Sequence, residues 1–409
     1  MILVHRKNIV IVGAGIIGTC CAYFLQKEGH KVTVIDRNEP GTGASYGNAG
    51  SFSDYSVLSL NTPDIFLNIP YYLLSSNSPL SIKLNYIFKL MPWMMKFLSN
   101  CTNDKMLHTA KNMKIILEQS ISSYEEIFSD IDVSNLYEKK GVLYLWGKNN
   151  LKSYEQGVTI RNQLGVKQKI LSKDEIKALE PNINPIYEKG VLYESAMCAK
   201  NPKKILQKIF DKFLELGGTF VNDEISEIKD QSILGKKDHY EYDKLIISAG
   251  AFSKKMTDQL GENIPLETER GYHVHFKNCE HLVSRGVCFA DSGLYLTPME
   301  QGLRAAGTVE LGGLDNPPSK KRIDYVINQA KLLINNLPEP YDSWMGFRPT
   351  LPDFLPVIGK SKFKGNIFYA FGHNHLGWTL GAITGKVIRD SVIERKSNFN
   401  LSSFLSSRF

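Results

Sequence analysis

The sequence has few cysteines, and nothing in their spacing pairs them. Six occur in 409 residues, without a CxxC pair and without a Cys/His group at zinc-ligand spacing. We therefore expect reduced thiols, a cytoplasmic location and no metal site. These cysteines are Cys20, Cys21, Cys101, Cys198, Cys279 and Cys288.

Long apolar runs and dense basic blocks are also missing. The most apolar stretch, residues 86–98, is interrupted by Lys89, Pro92 and Lys96, which argues against a membrane span. The short apolar run 9–12 leads into a glycine motif rather than a cleavage site, so we expect no signal peptide. A net charge of +7 without a basic cluster predicts no nucleic-acid partner. Repeats are absent, and 43% hydrophobic residues exclude a disordered chain.

The first 36 residues instead carry the signature of a βαβ unit. A β-branched run, residues 8–12, precedes Gly13, Gly15 and Gly18, and a helical pattern then leads to a second strand ending at Asp36. Such glycines make a tight turn, admit a pyrophosphate and let helix pack on strand. Asp36 is placed to bind ribose hydroxyls and disfavours a 2′-phosphate. The unit predicts dinucleotide binding, in preference to a glycine-rich turn without ligand.

The remaining chain mixes helical and alternating patterns. Residues 56–132 read as an inserted helical segment, Asn201-Pro202 begins an amphipathic helix, and residues 267–308 alternate as an antiparallel sheet does. A buried strand at 367–370 leads through a glycine-rich turn to a final helix at about 376–394. We therefore predict an α/β chain (α+β overall), with a Rossmann-like domain interleaved with a domain of mixed or antiparallel sheet plus helices.

Two further segments distinguish FAD from NAD. The small-residue loop 41–50 can bring backbone close to a flat ring system, although a solvent loop is its alternative. Residues 372–378 lead into the last helix, whose N-terminus favours negative charge on a reduced flavin. Together they favour FAD.

In this order the motifs resemble the D-amino-acid oxidase/glycine oxidase superfamily of FAD-dependent amine oxidoreductases. Within it, the sequence is most similar to bacterial D-amino-acid dehydrogenases of the D-hydroxyproline dehydrogenase type. The resemblance rests on the N-terminal motif, the 44–50 loop, residues 248–250, Gly346-Phe347-Arg348-Pro349, residues 356–359, and the tail 372–377.

The resemblance implies an FAD-binding domain made of residues 1–55, 196–255 and 346–409, and a substrate-binding domain of 56–195 and 256–345. Some relatives attach flavin through a cysteine near the G-x-R-P motif; none lies beyond Cys288, so we predict non-covalent FAD. For His373, a core or capping histidine is the alternative. The implied cofactor residues are Gly13, Gly15, Ile16, Ile17, Gly18, Asp36, Arg37, Ala44, Ser45, Asn48, Ala49, Gly50, Ile225, Ala249, Gly250, Gly372, His373, Asn374, Leu376, Gly377 and Trp378.

Substrate residues follow from the same resemblance. Arg348 would clamp the carboxylate of an amino acid, because a guanidinium matches a carboxylate with two hydrogen bonds. Tyr295 would bind the same carboxylate, with a buried strand tyrosine as its alternative. His375 would face the substrate, or else be an exposed turn residue. Tyr272 and His273 would shape the pocket.

The implied reaction is the oxidation of a D-amino or cyclic imino acid. Hydride passes from Cα to flavin N5, the product is an imine or keto acid, and a quinone or other respiratory acceptor takes the electrons. One alternative is a glycine- or sarcosine-type oxidase that uses oxygen and makes hydrogen peroxide. Another is an FAD-carrying, non-catalytic subunit of a larger complex.

The Tyr71–Leu98 region leaves a membrane question open. Aromatic and aliphatic residues, including Trp93, alternate there with Lys83, Lys89 and Lys96. A buried helical face or a lid over the active site is the preferred interpretation. The alternative is peripheral contact with the inner face of a membrane.

Overall fold

Residues 8–36 fold as the βαβ unit that their sequence predicts, in a computed structural model that describes residues 6–65, 78–397 and 399–409. The strands are β1 (Asn8–Val12), β2 (Lys31–Asp36), β3 (Ser51–Phe52), β4 (Leu80–Ile82), β5 (Tyr137–Glu138), β6 (Val142–Trp146), β7 (Lys169–Leu171), β8 (Lys189–Tyr193), β9 (Met197–Ala199), β10 (Thr219–Asn222), β11 (Ile225–Lys229), β12 (Ser232–Gly235), β13 (His239–Glu241), β14 (Lys244–Ile247), β15 (Glu267–Phe276), β16 (Gly286–Phe289), β17 (Leu294–Met299), β18 (Gly302–Leu311), β19 (Asp342–Thr350), β20 (Val357–Lys360) and β21 (Ile367–Phe371). The α-helices are α1 (Ile16–Lys27), α2 (Ile87–Ser99), α3 (Asn103–Leu117), α4 (Ser120–Phe128), α5 (Leu151–Gln163), α6 (Lys173–Leu179), α7 (Pro202–Glu215), α8 (Ser253–Gln259), α9 (Lys320–Leu333) and α10 (Gly377–Val392).

A six-stranded sheet is assembled from distant parts of the chain. Its order is β10-β2-β1-β14-β21-β20. The pairs are parallel except β20 with β21, which is antiparallel. All six strands come from the three stretches expected to form the FAD-binding domain, although the domain boundaries themselves stay a prediction. The carboxyl ends of β1 and β14 lie side by side, as ligand sites in open α/β sheets require.

One face of this sheet is covered by α1, which packs against α7 and α10. Glycines on α10 permit the close approach to α1. A Cβ on Gly381 would lie 2.9 Å from Ile16 Cγ1, and one on Gly385 would lie 2.7 Å from the Cys20 carbonyl oxygen. Helix α1 is therefore fixed from both sides.

The second large sheet has nine strands, with the order β19-β15-β18-β17-β16-β6-β8-β7 and β4 beside β18. The 267–308 region is antiparallel, as its alternation predicts. Strand β19 belongs to this sheet through antiparallel pairing with β15 along its whole length, so it crosses the expected boundary at residue 346. This pairing places Arg348 in the second sheet rather than in the dinucleotide-binding sheet.

Local sequence signals account for several element ends. Ser172 and Glu175 form the capping box that begins α6, and the Asn201 side chain caps α7 ahead of Pro202. The 56–132 segment is helical through α2, α3 and α4, as expected. Among the described residues, no helix is both long and apolar enough to cross a bilayer.

Candidate active site

A continuous cavity of about 1630 Å³ lies against both large sheets. The β1–α1 turn, the 36–49 loop, the ends of β14 and β21 and the segment before α10 contribute to its wall. Strands β17, β18 and β19 of the second sheet complete it. The cavity thus brings together nearly every residue that the sequence assigns to the cofactor or the substrate.

The β1–α1 turn is built for close backbone approach. Gly13 has φ +111°, and a Cβ there would lie 2.5 Å from the Ser248 carbonyl oxygen. A Cβ on Gly18 would lie 1.9 Å from the Gly13 carbonyl oxygen, so neither position accepts a side chain without displacement. No side chain caps α1 at Gly15, and the Ile16 N–H donates to Ser45 Oγ at 2.9 Å. The helix begins at the cavity wall, where its free N–H groups favour an anion.

Asp36 and Arg37 mark the ribose end of this wall. The Asp36 carboxylate accepts hydrogen bonds from the Ala14 N–H at 2.8 Å and the Asn38 N–H at 2.9 Å. The Arg37 guanidinium lies 4.0 Å from the ring centre of Phe252. Ile225, at the start of β11, lines the same region. The glycine turn, the open helix end and the acidic strand end fit a dinucleotide diphosphate and its ribose.

The 46–49 loop is tied to the second sheet by its carbonyl groups. Arg304 Nη1 donates to the Tyr46 oxygen at 3.0 Å and to the Asn48 oxygen at 2.6 Å. Thr297 Oγ1 donates to the Ala49 oxygen at 2.8 Å. His273 Nδ1 lies 3.0 Å from the Gly47 oxygen, which makes it the protonated ring nitrogen. We call Arg304, Thr297 and His273 the loop clamp; sequence reasoning missed Arg304 and Thr297, which no motif marks.

His273, His275 and Asp342 have ligand atoms within 4.8 Å of one another, a grouping that could hold a metal ion. However, Arg304 Nε donates to His275 Nε2 at 2.9 Å, so the proton of neutral His275 is on Nδ1. Burial lowers the pKa of His273 to about 2 and that of His275 to about 4. His275 therefore acts as an acceptor for a buried guanidinium, and the absence of metal stays a prediction.

Residues 373–378 lead into α10 and form its first turn, and several of their side chains are held by contacts within the protein. His373 Nε2 lies 3.0 Å from Thr384 Oγ1, and burial lowers the pKa of His373 to about 3. The Asn374 amide donates to the Phe354 carbonyl at 2.9 Å. Trp378 is 4% exposed and packs 5.6 Å from the ring of Phe52. These contacts favour the core alternative for His373 and leave the backbone of the segment to face a flavin.

Three expected cofactor glycines do not line the cavity. These are Gly18, Gly50 and Gly372; the other expected cofactor residues all line it. Gly50 and Gly372 have φ +72° and +83°, and a Cβ on Gly372 would lie 2.4 Å from Leu351. These glycines allow backbone conformations and close packing that other residues would not, and they do not line the cavity themselves.

Arg348 lies in the cavity wall with most of its hydrogen-bonding capacity unused. Its guanidinium occupies the space over Gly271, where a Cβ would lie 2.3 Å from Nη2. Nη1 donates to the Thr308 carbonyl at 3.0 Å. Within the described chain, the Arg348 side chain makes no other hydrogen bond and no ion pair within 4.0 Å. A planar cation with free N–H groups in a cavity is suited to a carboxylate.

Glu269 stands directly opposite Arg348 in the β15–β19 register and lines the same cavity. The residue is 4% exposed. Burial raises the pKa of Glu269 to about 7, against the opposing effects of Arg348 and a hydrogen bond with Thr350. Sequence reasoning missed this carboxyl group, because only strand register brings it to Arg348.

Tyr295 belongs to a cluster of phenols in the cavity wall. Its hydroxyl lies 3.0 Å from the hydroxyl of Tyr55 and also hydrogen-bonds Tyr144. Burial raises the pKa of Tyr295 well above its usual value, so the hydroxyl is neutral. Cys288, paired with Tyr295 in register, lines the cavity too, and burial raises its pKa to about 12. The cluster offers neutral hydrogen-bonding groups rather than a thiolate.

His375 lines the cavity, whereas Tyr272 does not. The His375 side chain is exposed at the cavity wall, as the turn-residue alternative expects, and desolvation within the cavity together with nearby Arg348 lowers the pKa of His375 to about 4. The Tyr272 hydroxyl donates to Glu310 Oε2 at 3.0 Å, away from the cavity. Neither Tyr272 nor His273 lines the cavity, so neither shapes the pocket by direct contact as the resemblance implies. His273 acts on the cavity through the Gly47 carbonyl.

Known proteins resemble the chain over nearly its full length. The family described as DAO, FAD dependent oxidoreductase, matches residues 8–391. A D-amino-acid oxidase of Bradyrhizobium diazoefficiens is 32% identical, with 98% of this chain and 99% of that protein covered. A D-amino acid dehydrogenase of Helicobacter pylori is 27% identical, with 99% of each covered. The structure of glycine oxidase from Geobacillus kaustophilus matches with a TM-score of 0.76 at 20% identity over 99% of each chain.

These matches agree with the mixed α/β fold and with the dinucleotide cradle. FAD is the cofactor of the family, and the glycine turn, Asp36 and the clamped loop are the groups here that would hold it. The resemblance stated from the motifs is confirmed. The chain belongs to the DAO family of FAD-dependent oxidoreductases and is an FAD-dependent amino-acid oxidoreductase.

Proposed function

We propose that this protein oxidises a D-amino acid or a cyclic imino acid whose carboxylate is held by Arg348. The observation that carries the proposal is the Arg348 guanidinium, which lines the cavity with a single hydrogen bond to Thr308. Among the described residues no carboxylate forms an ion pair within 4.0 Å of this half-buried cation, and a substrate carboxylate would supply that close partner. The name D-amino-acid oxidase of the 32% identical relative supports the D configuration.

The neighbouring residues suit the same substrate. Tyr295 offers a neutral hydroxyl to the carboxylate, and neutral His375 leaves Arg348 as the attracting charge. FAD, when bound, accepts the hydride from Cα. The chain contributes binding and orientation, which supply much of the acceleration in such reactions. A cavity wall that carries a carboxylate-binding group, Arg348, also argues against the alternative of a non-catalytic subunit.

The substrate assignment is tested by anaerobic bleaching of the bound flavin with D-, L- and N-methyl amino acids. In Arg348→Met we expect kcat/KM to fall by about 10²-fold or more, because truncating one side of a buried charge pair costs roughly 2–5 kcal/mol. The flavin absorbance should stay intact, since the one hydrogen bond of the Arg348 side chain goes to Thr308 and not to the glycine turn. Unchanged kinetics in Arg348→Met would contradict the assignment.

Electrons are proposed to pass to a quinone or another respiratory acceptor. The names of the relatives leave two candidates for the electron acceptor, a quinone-type acceptor and oxygen, because one relative is a D-amino acid dehydrogenase and another is a D-amino-acid oxidase. Reoxidation of the substrate-reduced flavin separates them. A dehydrogenase should be reoxidised by a soluble quinone within the turnover time and only slowly by air. Rapid reoxidation by air with release of hydrogen peroxide would establish the oxidase instead.

We also propose peripheral contact with an anionic membrane surface through one face of α2. Residues 71–77 of the region considered from sequence lie outside the described residues. Within α2, Leu90, Trp93 and Phe97 are buried, as the buried-face interpretation predicts. The opposite face of α2 carries Phe88, Met91 and Met95, with exposed fractions of 89%, 46% and 66%. Leu84, which is 80% exposed in the turn before α2, extends this apolar patch. Lys89 and Lys96 flank the apolar patch, as they do in interfacial helices.

A further inference from the structure

Arg348 and Glu269 present opposite charges to one cavity without neutralising each other. They are direct cross-strand neighbours, and direct neighbours of an antiparallel pair project to the same face. Both line the cavity, yet no ion pair within 4.0 Å joins them in the described chain. Both groups are therefore placed to meet a ligand that is bound in the cavity.

An amino acid has complementary charges on two adjacent groups. Its carboxylate matches Arg348, and its ammonium then lies on the side of the remaining carboxylate. We propose that Glu269 is a catalytic base that binds the substrate ammonium and takes one proton from it while Arg348 holds the carboxylate. This inference rests on the proposed function of Arg348.

Charge balance supports the assignment. When a substrate carboxylate neutralises Arg348, the substrate ammonium becomes the counter-ion of an ionised Glu269, and a buried ion pair of this kind keeps the desolvation cost of both charges. Proton transfer from the substrate nitrogen to a Glu269 oxygen removes both charges and leaves the substrate as a free amine. The nitrogen lone pair can then form the C=N bond as hydride leaves Cα. Glu269 keeps the proton until the iminium product departs, and then releases it to water.

Few other groups around Glu269 can account for titration near neutral pH. Arg348 faces it from β19, together with the Thr350 hydroxyl, and His375 approaches Arg348 from the segment before α10. The pKa of His375 is lowered to about 4, so it does not titrate near pH 7. Glu267, two residues earlier on β15, is hydrogen-bonded to Tyr86, and burial raises its pKa. Glu267 does not line the cavity, which makes it the matched control.

The test compares pH profiles of kcat/KM in the FAD-loaded wild type, Glu269→Gln and Glu267→Gln. The wild type and Glu267→Gln should show an ascending limb near pH 7, as Glu269 ionises. In Glu269→Gln that limb should move upward to the ammonium pKa of the substrate, with a loss of about 10²-fold at pH 7, typical of a missing general base. A limb that stays near pH 7 in Glu269→Gln would overturn the inference.

A binding measurement on the wild type needs no variant and no turnover. Acetate, which has a carboxylate but no ammonium, should perturb the flavin spectrum and bind with the uptake of one proton. Its affinity should fall about tenfold for each pH unit above 7 in the wild type, and stay constant in Glu269→Gln. A pH-independent affinity in the wild type would refute the role of Glu269 but would leave the role of Arg348 standing. If neither acetate binds nor any amino acid bleaches the flavin, the proposed function of Arg348 fails as well.

Discussion

At the scale of single residues, two charged groups in the cavity wall, Arg348 and Glu269, contrast with a third behind the 46–49 loop, Arg304. Arg348 and Glu269 are cross-strand neighbours that both line the cavity, whereas Arg304 is satisfied by loop carbonyls and by His275. Burial lowers the pKa of Arg304 to about 10, which still leaves it charged at neutral pH. Arg348 and Glu269 can therefore form new contacts with a bound substrate. Arg304 of the loop clamp cannot, because its hydrogen bonds are already taken up within the protein.

The raised pKa of Glu269 has a consequence for stability. Its folded-state pKa of about 7 exceeds the ordinary 4.5, so protonated Glu269 favours folding at low pH and this stabilisation is lost as pH rises through 7. Between pH 5 and pH 8, the wild type should lose roughly 1–3 kcal/mol of unfolding free energy relative to Glu269→Gln. Denaturant titrations of both proteins at the two pH values measure this. A difference that does not change with pH would contradict it.

The sequence located Arg348 but not its partner. Arg348 lies in a motif that resembles a known family, so its role could be inferred without coordinates. Glu269 is 79 positions earlier, and only the pairing of β15 with β19 brings the two together. The carbonyl ligands of Arg304 were unpredictable for the same reason, because backbone groups carry no sequence signal.

At the scale of elements, the contact between α1 and α10 depends on a missing side chain. The Cβ of Gly385→Ala would lie 2.7 Å from the Cys20 backbone, so the helices must separate. We expect a loss of about 1–3 kcal/mol by overpacking, even though alanine favours a helix more than glycine does.

Thermal unfolding of Gly385→Ala measures this loss. Gly365→Ala serves as the control, because a Cβ there meets only the flexible end of Lys360, at 3.5 Å. Equal stability of Gly385→Ala and the wild type would show that the helices can relax without cost.

The apolar patch on α2 gives a second prediction for an element. Replacing Phe88 and Met95 by Ser should reduce co-sedimentation with anionic liposomes several-fold, since binding scales with buried apolar area. Binding of the wild type should also weaken at high salt, because Lys89 and Lys96 are exposed. Phe363→Ser, which alters an apolar residue that is 59% exposed elsewhere, should leave sedimentation unchanged. Equal sedimentation of all variants would exclude the patch as a membrane contact.

Element types and ends were largely predictable from sequence, whereas sheet membership was not. The βαβ unit, the caps at Ser172 and Asn201 and the final helix follow from periodicity and local hydrogen bonding. The predicted domain boundary at residue 346 falls inside strand β19, because the G-x-R-P motif is assigned to the FAD-binding domain. The register of β19 with β15 is a long-range property, and no local pattern encodes it.

At the scale of the whole molecule, the six-stranded sheet is completed only late in the chain. Strand β1 pairs with β14, and β14 in turn with β21, so residues 1–200 lack the neighbours on one side of β1. Helix α10, which covers α1, is also absent from such a fragment. We therefore expect residues 1–200 alone to bind no FAD, and co-purified flavin absorbance measures this. A yellow, folded fragment would show that the sheet does not require its late strands.

The loop clamp has a consequence for the way this enzyme can be re-engineered. The 46–49 loop belongs in sequence to the cofactor-binding segment, but its carbonyls are held by His273, Thr297 and Arg304 from the other sheet. Chimeras that graft a foreign substrate sheet onto this nucleotide-binding framework would remove those donors and release the loop. Cofactor binding and substrate binding therefore cannot be exchanged separately in such chimeras. A functional chimera must take the 46–49 loop and its three hydrogen-bond donors from the same protein.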